Sequence, residues 1–379
     1  VGAGAATREQ ADAALNACHF SNDLEDAVKG ANFVQECIPE RLELKKSTYA
    51  TIQKVTGPDT IICSSTSKLF PTKLQEGSLY PQSILVGHPY NPAYLLPLIE
   101  LCGGEPTVRP DIMQLASSAR DLGFGLIQLN TNGIKLAESE EYCRELRESG
   151  VTTAYLGFDA LHEEPYYAKY GKPMLETKLR AVENAAAAGL AIVLVCCVIP
   201  GENDGDLGAI VEYARQHMPA VKGVYFQPIS YFGIYPEDKM RRITIPEVIR
   251  KVSEQHPDVN VQDFGPGSCD HSQCSFNAAY AQNKTGQLMP LTRFTRRSPS
   301  PDAVHRVRRN LQTAWTPSER RTLTIGGMAF QDAWNIDLMR VKRCSIQIIQ
   351  KDGALVPLCS KYLSGCNGAK LFPVIGLKT

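Results

Sequence analysis

The chain has 379 residues, room for two or three domains with cores of their own. Its 40 basic and 40 acidic side chains cancel, so no global field draws it to nucleic acid or an anionic membrane surface. At 43% hydrophobic and 21% charged it is an ordinary globular composition, and no run approaches the roughly 20 apolar residues of a membrane span. The basic cluster from Arg293 to Arg309 lies among Ser and Pro and reads as a solvated linker, not a nucleic-acid patch. The start, Val1-Gly2-Ala3-Gly4-Ala5-Ala6, lacks an initiator Met, a basic n-region and an apolar core, so it is no signal peptide and looks cut from something longer. Twelve cysteines without a secretory signal favour a reducing compartment, the cytoplasm.

In chain order, Ala31-Asn32-Phe33-Val34-Gln35 predicts a strand, followed by a helix over Glu40 to Val55. Thr60 to Cys63 and Ser83 to Val86 are the next strands, and strands spaced by helices argue for a parallel sheet. Pro110-Asp111 opens a helix that keeps Ile112, Leu115, Ala119 and Leu122 on one face. Leu126 to Leu129 is a strand. Ser139 caps a helix with Glu140 and Glu141 in its first turn, stopped by Gly150. Ala154 to Phe158 is a strand, and Glu176 to Ala188, ended by Gly189, a helix. Ile192 to Ile199 is apolar throughout, the pattern of a strand buried on both faces, with Cys196-Cys197 as small core residues. Leu207, Ile210, Val211 and Ala214 mark a helix and Val224 to Phe226 a strand. Repeated βα units with polar strand ends describe a β/α-type barrel, open or closed, in an α/β chain.

Several motifs carry more than periodicity. Phe33-Val34-Gln35-Glu36-Cys37-Ile38-Pro39-Glu40-Arg41, Ser64-Ser65-Thr66-Ser67, Gly87-His88-Pro89-Tyr90-Asn91-Pro92 and Ile99-Glu100 resemble the 3-hydroxyacyl-CoA dehydrogenases, carnitine 3-dehydrogenases in particular, over about residues 12–102. The resemblance implies a partial Rossmann-type sheet. It makes His88 a base for a hydroxyl proton and Glu100 its carboxylate partner, with Ser64 and Asn91 lining the substrate site. That fits the chemistry, because imidazole titrates near neutral pH and a carboxylate fixes its tautomer. The family binds NAD through a Gly-rich turn after its first strand. No strand precedes Gly2-Ala3-Gly4, so NAD binding and dehydrogenase activity are not expected of this chain.

From Gly103-Gly104-Glu105-Pro106-Thr107 onward the chain is similar to radical S-adenosylmethionine (SAM) enzymes, on the tetraether-lipid-synthase-like branch. The motifs are that string, then Gln128-Leu129-Asn130-Thr131-Asn132-Gly133, Tyr155-Leu156-Gly157-Phe158-Asp159, Val198-Ile199-Pro200-Gly201-Glu202-Asn203-Asp204 and Phe226-Gln227-Pro228-Ile229-Ser230, and coverage extends to about Ser364. The resemblance implies a partial radical SAM barrel in which Gly103, Gly104, Glu105 and Pro106 meet the methionine end of SAM. Asn130, Asn132 and Asp159 would surround SAM or substrate, with Glu202, Asn203 and Gln227 as further candidates. It also implies a small-molecule, lipid or peptide substrate and, for an active enzyme, a ferredoxin or flavodoxin as electron donor.

Related proteins carry C-terminal cysteines like Cys269, Cys274, Cys344 and Cys359, which implies an auxiliary [4Fe–4S] cluster, with Cys366 and His271 in reserve. A structural zinc is the alternative, and unligated thiols a third. The Cys-x3-Cys-x2-Cys loop that starts the superfamily's chemistry is absent from these 379 residues, so radical generation is not expected. The resemblances divide the chain into residues 1–102, 103–292, a linker over 293–317 and a cysteine-bearing extension over 318–379. A Gly-Gly common to both families lies at the join, which points to a recombined, misassembled or truncated gene. An NAD-dependent dehydrogenase and a non-catalytic iron–sulfur scaffold are the rival readings.

Overall fold

A computed structural model describes residues 9, 13, 16–38, 41–64, 71–88, 98–101, 105–235, 241–266, 273–292, 316–342, 344, 347–349 and 355–371. Asn91, Gly103, Gly104, Cys269, His271 and most of the expected linker lie outside the described residues.

The first strands are β1 (Phe33–Glu36), β2 (Ile61–Ser64) and β3 (Ile84–His88), mutually parallel in the order β1-β2-β3. Helix α1 (Leu24–Val28) is started by Asp23, whose side chain accepts from the amides of Glu25 and Asp26. Helix α2 (Leu42–Val55) lays Tyr49 and Ile52 against Ile62, Ile84, Leu74 and Val28, a small core of its own. A short helix, α3 (Pro71–Gln75), precedes β3.

Strand β4 (Leu98–Leu101) is where the architecture changes. It runs antiparallel to β3, with His88 opposite Glu100, and parallel to β5 (Leu126–Thr131) on its other side. One sheet therefore passes without a break from the first motif set to the second. Parallel strands continue through β6 (Thr153–Gly157), β7 (Ala191–Val198) and β8 (Val221–Pro228). The helices between them are α4 (Ile112–Asp121), α5 (Ile134–Glu138), α6 (Glu140–Ser149), α7 (Glu164–Tyr170), α8 (Leu175–Ala187) and α9 (Leu207–Gln216). Helix α6 begins and ends as its sequence predicts: the Ser139 hydroxyl accepts from the Tyr142 amide at 3.1 Å, and Gly150 stops it at φ 120°.

After α10 (Ile245–Gln255), opened by a reciprocal Thr244–Glu247 cap, come β9 (Ser275–Gln282), β10 (Leu288–Pro290) and β11 (Thr322–Met328). Strand β11 inserts between β8, to which it is parallel, and β9, to which it is antiparallel. The result is an eleven-stranded sheet in the order β1-β2-β3-β4-β5-β6-β7-β8-β11-β9-β10. Gly326 and Gly327 permit that insertion. A Cβ on Gly327 would lie 2.0 Å from the Phe226 carbonyl oxygen, and one on Gly326 2.9 Å from that of Phe276. A hairpin of β12 (Gln347–Ile349) and β13 (Leu355–Pro357) with helices α11 (Leu338–Lys342) and α12 (Leu358–Tyr362) closes the described chain.

The fold is α/β, as the alternation predicts. Strand β7 differs in one respect. Ile192, Leu194, Cys196 and Val198 are wholly buried, whereas Val195 and Cys197 are half-buried on the opposite face. Cys197 is therefore no core residue. The same alternation recurs in β8, where Tyr225 and Gln227 are half-buried, so the two strands share a second face that is only partly covered. On it the rings of Tyr155 and Tyr225 lie 5.7 Å apart.

Candidate functional site

Glu105 follows β4 and caps the 3-10 turn Pro106–Val108. Its carboxylate is held from both sides. Oε1 accepts from the Thr107 amide (3.2 Å), the Thr107 hydroxyl (2.6 Å) and the Thr131 hydroxyl (2.8 Å). Oε2 accepts from the Asn132 amide at 2.6 Å. Thr131 ends β5, and its hydroxyl oxygen also receives the Gly133 amide at 3.0 Å. The Asn132 side chain turns back to accept from the Ile134 amide at 2.9 Å, which starts α5. Gly133, at φ 82°, allows this turn, since a Cβ there would stand 2.5 Å from a methyl of Leu156. Glu105 and Asn132 are thus joined in one bonded unit, while Asn130 lies one pleat below and accepts from Gln128 at 3.0 Å. Thr107 and Thr131 were not among the predicted residues, and no local pattern distinguishes them.

Asp159 sits just beyond β6 and is 1% exposed. Lys169 donates to both of its oxygens at 2.9 Å, and the Cys197 amide donates to Oδ1 at 3.0 Å. Burial opposes the charge on Lys169, but Asp159, Tyr170 and Cys197 outweigh it, and the pKa is raised. Lys178, on α8, is wholly buried and donates to the Asn132 carbonyl. Burial pushes its pKa down to about 8, Lys169 adds to the effect, and Asp159 and Glu105 oppose it. Lys178 occupies the apolar stripe of α8 with Ala181, Val182 and Ala185, an anomaly that the sequence does display.

The further candidates separate. Asn203 is a buried brace: its amide donates to the carbonyls of Asp159 and Cys197 at 2.9 Å each, and its oxygen accepts from Ile199 at 2.8 Å. Glu202 pairs with Arg241 at 2.7 Å in a partly exposed bridge. Gln227 stays on the half-covered face of β8.

In the first part, Ser64 is fully buried and donates to Glu36 at 2.7 Å. Glu36 also accepts from Lys45 (2.7 and 2.8 Å), from the Tyr49 hydroxyl and from the Ile38 amide at 2.6 Å. The register sets His88 opposite Glu100 across β3 and β4.

Among the cysteines, Cys274 accepts from Arg340 at 3.1 Å and Cys359 from the Gln331 amide at 3.2 Å. Burial pushes the Cys359 thiol up to about 11; the Gln331 amide opposes this and the nearby Cys344 and Cys274 add to it. Among the described residues no three or more His, Cys, Asp or Glu side chains form a group that could hold a metal ion. Cys269, the fourth expected ligand, lies outside the described residues, whereas Cys274 and Cys344 both lie near enough to Cys359 to raise its thiol.

The comparisons with known proteins follow the two halves of the sheet. The family model for the 3-hydroxyacyl-CoA dehydrogenase NAD-binding domain matches residues 1–131, and that for the radical SAM superfamily matches residues 93–214. The matches overlap over residues 93–131, the stretch that contains β4. The chain thus joins a first part similar to 3-hydroxyacyl-CoA dehydrogenases to a second part similar to radical SAM enzymes. A 7,8-dihydro-6-hydroxymethylpterin dimethyltransferase of Methanocaldococcus jannaschii is 30% identical over 70% of this chain and 66% of its own. An L-carnitine dehydrogenase of a Pseudomonas species is 45% identical over 28% of this chain and 33% of its own. The chain thus spans less than two thirds of either relative. A solved 3-hydroxybutyryl-CoA dehydrogenase of Escherichia coli is 26% identical, covering 38% of this chain and 32% of its own at a TM-score of 0.29.

Proposed function

We propose that the second part of the chain is a SAM-binding body whose Glu105 cradle receives the amine of SAM. One observation carries this: four hydrogen bonds hold a carboxylate in place at the end of β4 before any ligand arrives. SAM's methionine end is a zwitterion, and an oriented carboxylate binds its ammonium without first having to be ordered. Asp159, locked by Lys169 and Cys197, supports the adjoining wall. Bound SAM would supply a group for transfer, and the pterin substrate named for the Methanocaldococcus relative makes a pterin-type heterocycle the first compound to test. The lipid and peptide classes implied by resemblance come after it.

This chain is expected to bind SAM without cleaving it reductively, because its 379 residues contain no Cys-x3-Cys-x2-Cys. The twelve cysteines suit a reducing compartment such as the cytoplasm. No helix among the described residues is long and apolar enough to cross a membrane. Equilibrium dialysis should show SAM bound by the wild-type chain and at least about tenfold weaker binding in Glu105→Ala. Undiminished binding in that variant would remove Glu105 from the site. Formation of 5′-deoxyadenosine after anaerobic iron–sulfide reconstitution and reduction would overturn the non-cleaving reading.

A dehydrogenase remains the second reading, favoured by the His88–Glu100 register. It requires NAD binding and turnover of carnitine or a 3-hydroxyacyl-CoA, lost in His88→Ala. No NAD binding ends it.

A further inference from the structure

Lys178 is the group whose position the fold subsidises without an evident structural return. A lysine on the inward stripe of α8 forfeits the hydration of its ammonium, yet this one is 0% exposed beside Ala181, Val182 and Ala185. Its amine passes beneath the ends of β5 and β6. It lies against Gly157 at the end of β6, where a Cβ would stand an ordinary 3.9 Å from Nζ. Among the described residues its one hydrogen-bond acceptor is the Asn132 carbonyl. The Tyr170 ring lies under the ammonium, 5.4 Å to its centroid.

Residue 132 is therefore gripped at both ends of its backbone. Its carbonyl oxygen receives Lys178, and its amide donates to Glu105 Oε2. We propose that Lys178 is a positioning residue, whose ammonium fixes the 132 backbone so that the Asn132 amide keeps the Glu105 carboxylate aimed at the amino-acid end of SAM. The inference rests on the SAM reading above and adds to it a control by protonation. A charged amine makes the stronger, charge-assisted bond to a carbonyl. The charged and titratable groups around it are Asp159 beyond β6, Lys169 and Tyr170 on α7 and Glu105 beyond β4. Asp159 is already neutralised by Lys169 at 2.9 Å. With burial dominant, the proton leaves near pH 8, close to working conditions.

The test measures binding of SAM and of adenosine, which lacks the amino-acid end, to wild-type protein and to Lys178→Met from pH 6.5 to 10. The amine of SAM titrates identically in both proteins, so the affinity ratio between them isolates Lys178. That ratio for SAM should be about tenfold at pH 6.5 and shrink toward unity through a midpoint near 8. Adenosine should bind both proteins alike. A Lys178→Arg variant, whose charge persists at high pH, should hold its SAM affinity relative to Lys178→Met across the range. Equal losses for SAM and adenosine would show a merely structural lysine and overturn the proposal, as would a ratio that does not change with pH. Wild-type protein that binds adenosine but never SAM would instead refute the SAM reading itself. If Lys178→Met fails to fold, the wild-type pH profile set against Lys178→Arg still decides, because identical profiles refute the inference.

Discussion

Replacing Lys45 by Met should be the most damaging single change in the first part of the chain. The side chains of Lys45 and Glu36 are each 1% exposed, and the ammonium donates to both carboxylate oxygens at 2.7 and 2.8 Å. Glu36 also receives Ser64, Tyr49 and the Ile38 amide, so among the described residues Lys45 is the cation that faces its negative charge. Methionine keeps the volume but removes two charge-assisted bonds and leaves an uncompensated buried anion, a loss of about 3–5 kcal/mol. That is a large share of the roughly 5–15 kcal/mol that holds a domain folded. The double variant Glu36→Gln/Lys45→Met removes both charges while the amide can still accept from Tyr49 and Ser64, so it should lose less than about 2 kcal/mol. Urea unfolding followed by circular dichroism, with hydrogen exchange at β1 and β2, measures both. A loss below about 1 kcal/mol for Lys45→Met, or a double variant as unstable as the single, would show that the pair is not acting as a buried charge compensation.

The Lys178 pKa is near 8 in the folded chain against an ordinary 10.5, so between those values the unfolded chain holds a proton that the native one has released. Stability from this group therefore rises with pH across that window, by about 3 kcal/mol in all, and the difference in unfolding free energy between wild type and Lys178→Met should climb with it; parallel curves would refute the assignment. Gly327→Ala, whose Cβ would stand 2.0 Å from the Phe226 oxygen, should part β11 from β8 and cost at least about 3 kcal/mol, whereas an unchanged melting temperature would mean the strands are not so close. With its thiol at about 11, Cys359 should be alkylated by iodoacetamide at pH 8 far more slowly than exposed Cys18, and comparable rates by mass spectrometry would contradict its burial.

Some of this was legible in the linear chain. Ser139 and Gly150 delimit α6 because capping is settled by residues within one helical turn. The order of strands and helices from β5 to β8 follows from apolar runs that tertiary packing had no reason to override. The motif strings point to Glu105, Asn132 and Asp159, and the structure joins the first two through one hydrogen bond.

Other features were decided only in three dimensions. Glu105 finds Thr131 and Asn132 across 26 and 27 residues of sequence, a pairing no local pattern encodes. Lys178 is visible as a charge on an apolar stripe, but its acceptor lies 46 residues away. The exposure of Cys197 could not be read from Ala191-Ile192-Val193-Leu194-Val195-Cys196-Cys197-Val198, where both faces are apolar and a period of two leaves no trace. Strand β4, four residues long, carries no information about its partners, yet its ladder to β3 on one side and β5 on the other joins the segments similar to two families into one sheet. Local hydrogen bonding and periodicity thus settled which segments are helix and strand. Which strands became neighbours, and which buried charges met, depended on ladders and ion pairs formed between residues distant in the chain, whose free energy exists only once the whole sheet has assembled.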